Sequence, residues 1–505
     1  MGGGKVAPLV FESVDFYDPE GYRELRGQGF SFHPLALVVN YANDIGSNDF
    51  TVFDLVVEGK RSLNTVRMAA DFLSQKGMID YDANTGKIHV KDKAIHMVQV
   101  VKGNADYDNL KVHSLTDTIA NAIISFSNRN MKVYGVEEFN VSDSLNVIIK
   151  PDSSRITFLQ NRDIKFNGTI TAGNFEISGK DFTLKYDSFF INMNHIDSIR
   201  FYVTEKNGVR RRVNNSMVGA DSTAAAAGGL QAYANKTAGT LFINRPDNKS
   251  GKINYPNFPR LDASAGGVIY FDRKEVLNGA YDRSVFFVVP PFKLDSLNDA
   301  DPGSINFQGT FISSGMFPAF KEKIHTMPDK SLGFTHTIPA SGYNLYQADG
   351  KLFGDISLDN AGLRSKGRIE YLSTMVESKD FIFYPDSVVG KGNVGEIKEK
   401  QIGSVYFPQM KLGDFQMKWL PKQDKMSLRN LKDPFNLYSG TATLNGRLII
   451  SKTGVGGDGR LSTRGSEVKS KELSFSAKDF NARHARFEVK TENPDKPALA
   501  GRNVK

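Results

Sequence analysis

Two stretches, Gly390-Lys391-Gly392-Asn393-Val394-Gly395 and Gly454-Val455-Gly456-Gly457-Asp458-Gly459, match G-x-G-x-x-G, the spacing with which a strand-to-helix turn cradles a pyrophosphate. That turn works only where a helix opens behind it, and neither stretch continues with helical periodicity. Gly456-Gly457-Asp458-Gly459 also resembles a calcium turn, as a single copy without the tandem repeat that such turns need. The eight histidines, His33, His89, His96, His113, His195, His325, His336 and His484, are dispersed. With no close pair among them, a zinc site has to be assembled from distant strands. Four Asp-Ser pairs (Asp187-Ser188, Asp197-Ser198, Asp295-Ser296, Asp386-Ser387) offer a nucleophile, but each follows a strand-like run, so we read them as turns. Asp181 and Asp380 read as turn formers or surface residues. The residues thus assign no catalytic, cofactor-binding or metal position. A β-helix enzyme with carboxylates spread over one face leaves no contiguous motif, and that reading stays open.

The elements that would have to position any chemistry are strands. Over 166–203, Ile170, Phe175, Ile177, Phe182, Leu184, Ile191, Met193, Ile199, Phe201 and Val203 recur at mostly two-residue steps, the period of a strand with one buried face. Gly168, Gly173 and Gly179 punctuate the run. This pattern returns. Phe166-Asn-Gly-Thr-Ile170 is echoed by Phe307-Gln-Gly-Thr-Phe311, and 352–383 aligns with 444–475 without a gap, at a constant offset of 92 positions. Leu352, Gly354, Gly362, Gly367, Arg368, Val376, Ser378, Lys379 and Phe383 recur as Leu444, Gly446, Gly454, Gly459, Arg460, Val468, Ser470, Lys471 and Phe475. The Lys-Asp-Phe of the first copy also stands at Lys180-Asp181-Phe182. We take Gly168, Gly309, Gly354, Gly362, Gly367, Gly446, Gly454 and Gly459 as structural repeat turns. One copy alone would leave a hydrophobic strand face wet, so neighbours are expected to stack. The fold class is all-β with little helix: an elongated β-solenoid, or stacked, coiled antiparallel β-sheet modules.

Composition agrees. The 505 residues include 36 Phe and 18 Tyr beside one Trp, a strand-favouring balance, with 40% hydrophobic and 24% charged residues. The net charge of +8 is scattered along the chain and reads as solvated surface, so no nucleic-acid partner is expected. Without cysteine there is no disulfide, thiolate metal site or cysteine nucleophile. No window reaches the length of an apolar membrane span. The start, MGGGKVAPLVFESVDF, lacks a secretory signal pattern, and the end, ALAGRNVK, follows a strand-like ARFEVK abruptly, so the chain reads as a segment of a longer polypeptide. The expected organisation is a mixed, β-rich N-terminal segment over 1–121, a β-repeat module over 122–206, a flexible low-complexity insertion over 207–239, and further modules over 240–350, 351–440 and 441–505. Within the first of these, 63–76 followed by Gly77 suits a short helix, and 78–90 a hairpin turning at Asn84-Thr85-Gly86. A DNA-binding wing has that order, but with no basic recognition helix and only Arg61, Arg67 and Lys76 for charge, a bend in a β-rich chain is preferred.

The phrases GMIDYDANTGKIHV, ADYDNL, VSDSLNVII, NRDIKFNGTITAGNF, GKDFTLKYDSF, IDSIRFYV, INRPDNKSG, DFIFYPDSV, PFNLY and NPDKPALAG resemble those of a very long, β-rich, uncharacterised protein family of the Bacteroidota, over nearly all of the chain. The resemblance implies a cell-envelope location, periplasmic or associated with the outer membrane, and no activity. By pattern alone, the phenylalanine-rich strands are also similar to the lipid-conduit β-grooves of TamB-like and AsmA-like bridge proteins. The expected function is a structural or bridging envelope protein of repeated β-modules, offering an apolar groove for lipid, with the rest of its polypeptide, lipid or envelope proteins as partners and no cofactor. A surface module binding polysaccharide or protein, and a β-helix polysaccharide-active enzyme, are the alternatives.

Overall fold

The computed structural model describes residues 8–27, 29–117, 119–204, 209–219, 239–298, 305–489 and 499–504. They fall into two compact units: Met1–Tyr202 with Asn235–Ala265 and Pro291–Ala300, and Val203–Ala234 with Gly266–Pro290 and Asp301–Lys505.

The first unit opens on helices, which corrects the expectation of a β-rich segment over 1–121. After β1 (Leu9–Glu12) come α1 (Pro19–Glu24), α2 (Pro34–Ile45), β2 (Asp49–Thr51), α3 (Val52–Gly59), α4 (Leu63–Gln75), β3 (Ile79–Asp82), β4 (Lys87–Val90) and α5 (Asp92–Val101). Local chemistry sets these boundaries. Pro34 occupies the first turn of α2, and Gly46 ends it in the left-handed conformation, at φ 65°. At the start of α3 the Thr51 N–H donates to Asp54 Oδ2 at 2.8 Å. The Ser62 Oγ accepts from the Thr65 N–H at 3.2 Å to start α4. The helices bury Leu35, Val38, Leu55, Val66 and Leu73 against Ile79, Ile88 and Val90 of a small sheet ordered β2-β4-β3. The helix and hairpin read over 63–90 are both present, in place of the preferred bend.

Beyond β5 (Lys111–Ser114), which pairs with β1, the chain is antiparallel sheet. Its strands are β6 (Ala122–Ser125), β7 (Asn130–Tyr134), β8 (Phe139–Ser142), β9 (Val147–Phe158), β10 (Ile164–Ala172), β11 (Phe175–Lys185) and β12 (Phe190–Thr204). The last four are long, and the ladder shifts midway along each: between Phe166 and Gly168 on β10, and between Ser178 and Gly179 on β11. A bulge bends a strand, so each long strand contributes its two halves to two different layers. Residues 147–149 of β9 pair with β8 and residues 155–158 with β7. The inner positions Ile149, Ile156, Ile164, Ile170, Ile177, Phe182 and Leu184 are at most 1% exposed, so the fold line closes over its own apolar face. Burying one such side chain contributes roughly 1.5–3 kcal/mol.

The second unit repeats the device. Its strands include β13 (Leu332–Thr337), β14 (Tyr343–Leu345), β15 (Gly350–Asp359), β16 (Gly362–Tyr371), β17 (Thr374–Tyr384), β18 (Ser387–Gly392), β19 (Val394–Ile397), β20 (Met410–Leu412), β21 (Phe415–Leu420), β22 (Lys425–Asn430), β23 (Phe435–Leu437), β24 (Ala442–Ser451), β25 (Gly454–Thr463), β26 (Ser466–Phe475), β27 (Phe480–Arg483) and β28 (Ala485–Val489). The two repeat copies are β15–β17 and β24–β26, and they share one register: Gly354 opposes Gly367 as Gly446 opposes Gly459, and Gly367 opposes Ser378 as Gly459 opposes Ser470. Between the copies the sheet forks. The halves of β17 pair with β18 and β19, the layers continue as β21-β22 and β20-β23, and both rejoin on β24, a closed ring of eight strands. Its interior is filled by Trp419, Phe381, Phe415, Met417, Leu428 and Leu448, each fully buried.

The all-β class therefore holds, and of its two forms the coiled antiparallel sheet is the one found. Within the expected flexible insertion, Arg210–Val218 is a strand; residues 207–208 and 220–238 lie outside the described residues.

Candidate functional site

The repeat glycines are mostly not turns, and this corrects their assignment. Only Gly362 and Gly454 adjoin hairpin turns, as the first residues of β16 and β25. Gly168, Gly354, Gly367, Gly446 and Gly459 lie inside strands, on the fold line, and Gly309 lies inside the strand Asn306–Ser313. The physical reason is close backbone approach. A Cβ on Gly168 would stand 2.8 Å from the Pro151 Cα, one on Gly354 2.8 Å from the Gly367 Cα, and one on Gly309 would meet the Val288 carbonyl oxygen.

The Lys-Asp pairs mark the bulges themselves. Lys180-Asp181, Lys379-Asp380 and Lys471-Glu472 are the residues by which the ladder slips in the three copies. In the second and third, a serine closes the bulge. The Ser378 Oγ accepts from the Asp380 N–H at 3.0 Å and donates to the Lys391 carbonyl at 2.7 Å. The Ser470 Oγ accepts from the Glu472 N–H at 3.0 Å and donates to the Arg483 carbonyl at 2.7 Å. In the first copy Gly179 stands where the serine would be, and Asn167 Oδ1 on the neighbouring strand accepts from the Asp181 N–H at 2.9 Å. Asp181 and Asp152 line a shallow polar depression of about 280 Å3 together with Arg155, Lys165, Asn167 and Asn194.

The other sequence candidates do not converge. Gly390 and Gly392 lie in β18, Gly395 in β19 and 454–459 in β25, so no helix N-terminus stands behind either G-x-G-x-x-G stretch. Asp187-Ser188 and Asp386-Ser387 do sit at strand junctions, whereas Asp197-Ser198 is inside β12, where Asp197 is an extra residue of a bulge. His89 meets Asp49 at 2.8 Å and His195 meets Asp181 at 3.3 Å, both on the surface. Among the described residues no three His, Asp or Glu side chains are grouped to hold a metal ion. The helix pair α3 and α4 with its β3-β4 wing presents Asn64, Arg67, Met68 and Asp71 on the exposed side of α4, one cation against one carboxylate.

Two polar clusters escape any contiguous motif. His336 joins Glu322 Oε2 through Nδ1 at 2.8 Å and the Tyr343 hydroxyl through Nε2 at 2.9 Å, stacked on the Phe320 ring at 3.9 Å between centroids. Burial, with Glu322 adding, holds the Tyr343 phenol above its ordinary range. Elsewhere Asp108, 3% exposed, lies 3.7 Å from Arg162 and 3.5 Å from Lys249, and Tyr186 lies beside all three. Burial first, and Asp108 second, push the Tyr186 phenol far up. The His336 cluster is internally paired, whereas the buried Tyr186 hydroxyl has no hydrogen-bond partner, and Tyr186 and Arg162 line a cavity of about 240 Å3 with Phe11, Leu110, Val112 and Phe158.

At the far fork the halves of β26 pair with β27 and β28. Here a cavity of about 1110 Å3 is lined by Val468, Leu473, Phe480 and Phe487 together with the polar Glu472, Ser474, Asn481, Arg483 and His484. No family model, curated protein or solved structure matches the chain.

Proposed function

We propose that this chain is a structural, bridging protein of the cell envelope whose β-modules supply length and stiffness. The observation that carries this is the identical register of the two copies around a filled interior: the module is repeated for its shape, and the polar side chains carried along are those of the bulge and one arginine, Arg368 and Arg460. The envelope setting is supported by the resemblance of sequence phrases alone. An acyl-chain groove is supported at the far fork, where Val468, Leu473, Phe480 and Phe487 supply the apolar part of a mixed lining around a cavity large enough for a lipid tail. Elsewhere the inner positions of both copies are occupied by the chain's own Phe, Leu and Ile side chains.

Complementation of a deletion strain tests the reading. A chain lacking residues 360–451, one module, should fail to restore the deletion phenotype, while the triple variant Asp181→Asn, Asp380→Asn, Glu472→Gln should restore it. The reverse result would replace the structural reading with a site lined by the bulge carboxylates. Extraction of purified protein followed by mass spectrometry tests the groove: bound acyl lipid should be found, and it should be lost on Phe487→Asp.

A further inference from the structure

The hairpin β6-β7 carries an arrangement that no packing explains. Its register is Ala122 to Val133, Ile123 to Lys132, Ile124 to Met131 and Ser125 to Asn130, leaving Phe126-Ser127-Asn128-Arg129 as the tip. The tip is fixed locally: the Asn130 N–H donates to Asn128 Oδ1 at 3.1 Å, the Ser125 and Ser127 hydroxyls lie 3.0 Å apart, and Arg129 takes a left-handed φ of 54°. This holds Phe126 out at 92% exposure. Ile123 and Ile124, which as successive strand residues point to opposite faces, are 52% and 58% exposed. Ile124 shares its face with Ala122, Met131 and Val133, and Ile123 shares the other with Ser125, Asn130 and Lys132, so each face and the end carry one exposed apolar side chain. β7 continues the sheet on β9, and isolated exposed apolar residues are ordinary, but three within four positions on β6 and the tip are a patch.

We infer that this hairpin is a membrane-surface anchor that inserts Phe126, Ile123 and Ile124 among the acyl chains of an anionic lipid surface. Charge decides between a lipid and a protein occupant. From 119 to 136 the chain holds Arg129 and Lys132 and no acidic residue, and both cations are exposed beside the apolar tip. An apolar tip with two cations beside it, and Asp117, Glu137 and Glu138 set back at the base of the hairpin, matches anionic head groups over hydrocarbon. A partner strand added to β6 would hydrogen-bond along Ala122–Ser125 and leave Phe126 beyond the ladder. The inference stands on exposure and charge at this hairpin and does not depend on the groove at the far fork.

Flotation of the full chain with vesicles tests it. The protein should float with vesicles of equal phosphatidylglycerol and phosphatidylethanolamine and much less with phosphatidylcholine, and 1 M salt should reduce binding. Phe126→Asp should lower the bound fraction by about tenfold, and Arg129→Gln with Lys132→Gln should abolish the preference for anionic lipid. Phe126→Trp should shift its emission to the blue on anionic vesicles, which reports insertion without relying on a loss. No flotation, flotation indifferent to Phe126→Asp, or a dimer that Phe126→Asp converts to monomer would overturn the proposal, the last in favour of a protein-docking edge.

Discussion

Gly446 and Gly459 lie back to back in β24 and β25, so close that a Cβ built on either would stand 2.7 Å from the other's Cα. Gly459 also holds a φ of 136°, open in practice to glycine alone. Gly459→Ala should therefore destabilise by about 2–4 kcal/mol, through strain and forced separation of two strands at the fold line. Gly465→Ala, with nothing within 4 Å of the new methyl group, should stay within about 0.5 kcal/mol of the parent. Urea unfolding of both variants, followed by circular dichroism, reads the contrast; equal stabilities would show that the glycine pair does not set the bend.

The serine bulges invite a paired test. Each of Ser378 and Ser470 spends its hydroxyl on one N–H and one carbonyl of the slipped ladder. Ser378→Ala and Ser470→Ala should each cost about 1–2 kcal/mol, and because the two bulges are separate the double variant should cost their sum. Ser→Ala at Ser474, exposed on β26, is the control and should be near neutral. The measurement is the shift in urea midpoint at constant slope.

What the residues made legible, and what they did not, follows from how local each feature is. The duplication could be read because a bend imposes fixed identities at fixed places: glycine where backbones touch, Ser-Lys-Asp where the ladder slips. The role of those glycines could not, since a mid-strand glycine and a turn glycine have the same spacing on paper. The helices were missed where apolar residues run together, as in Leu35 to Val39 and Val52 to Val57, because a short continuous run has no period to choose between helix and strand. The ring of eight strands depends on pairings such as Met410 with Leu437 and Val388 with Trp419, which no local pattern specifies. Glu322, His336 and Tyr343 are joined only by the sheet, so their spacing carried no signal.

Alkaline titration should separate the buried tyrosines from the rest. Tyr281 donates its hydroxyl to the Phe383 carbonyl at 2.8 Å and accepts from the Leu363 N–H at 2.8 Å, and burial holds its phenol well above the ordinary value near 10. Tyr346 is held up likewise, by burial first, and donates to the Ser387 carbonyl at 2.9 Å. A folded-state pKa above the unfolded one means that the unfolded chain loses its proton first. The stabilisation is then fully present below about pH 10 and is lost as pH rises from the unfolded value through the folded one. Tyrosinate absorbance near pH 11 should accordingly report the exposed phenols alone, with the buried ones appearing in step with loss of the circular dichroism signal. Tyr281→Phe should make that alkaline loss shallower while lowering stability at neutral pH by about 1–3 kcal/mol, since the Leu363 N–H is left unpartnered.

The equivalence of the two copies permits a deletion that would ruin an ordinary fold. Asp359 ends β15 and Lys452 lies in the turn before β25, at corresponding points of the hairpins β15-β16 and β24-β25. Removing residues 360–451 joins β15 directly to β25, and the register predicts how they meet: Gly354 takes Gly459 as its partner, where it formerly had Gly367. The apolar partners survive too, since Leu352 would oppose Leu461 in place of Ile369, and Leu358 would oppose Val455 in place of Leu363. The ring of eight strands disappears with Trp419 inside it, yet β13 and β14 still find β15, and β27 and β28 still find β26. The shortened chain should fold, unfold cooperatively in urea, and keep the parent's β-type circular dichroism per residue, with a slope lower in proportion to the surface no longer buried. A chain that precipitates, or unfolds without a cooperative transition, would mean that the closed ring is a single indivisible unit and that the two copies are alike in outline without being interchangeable.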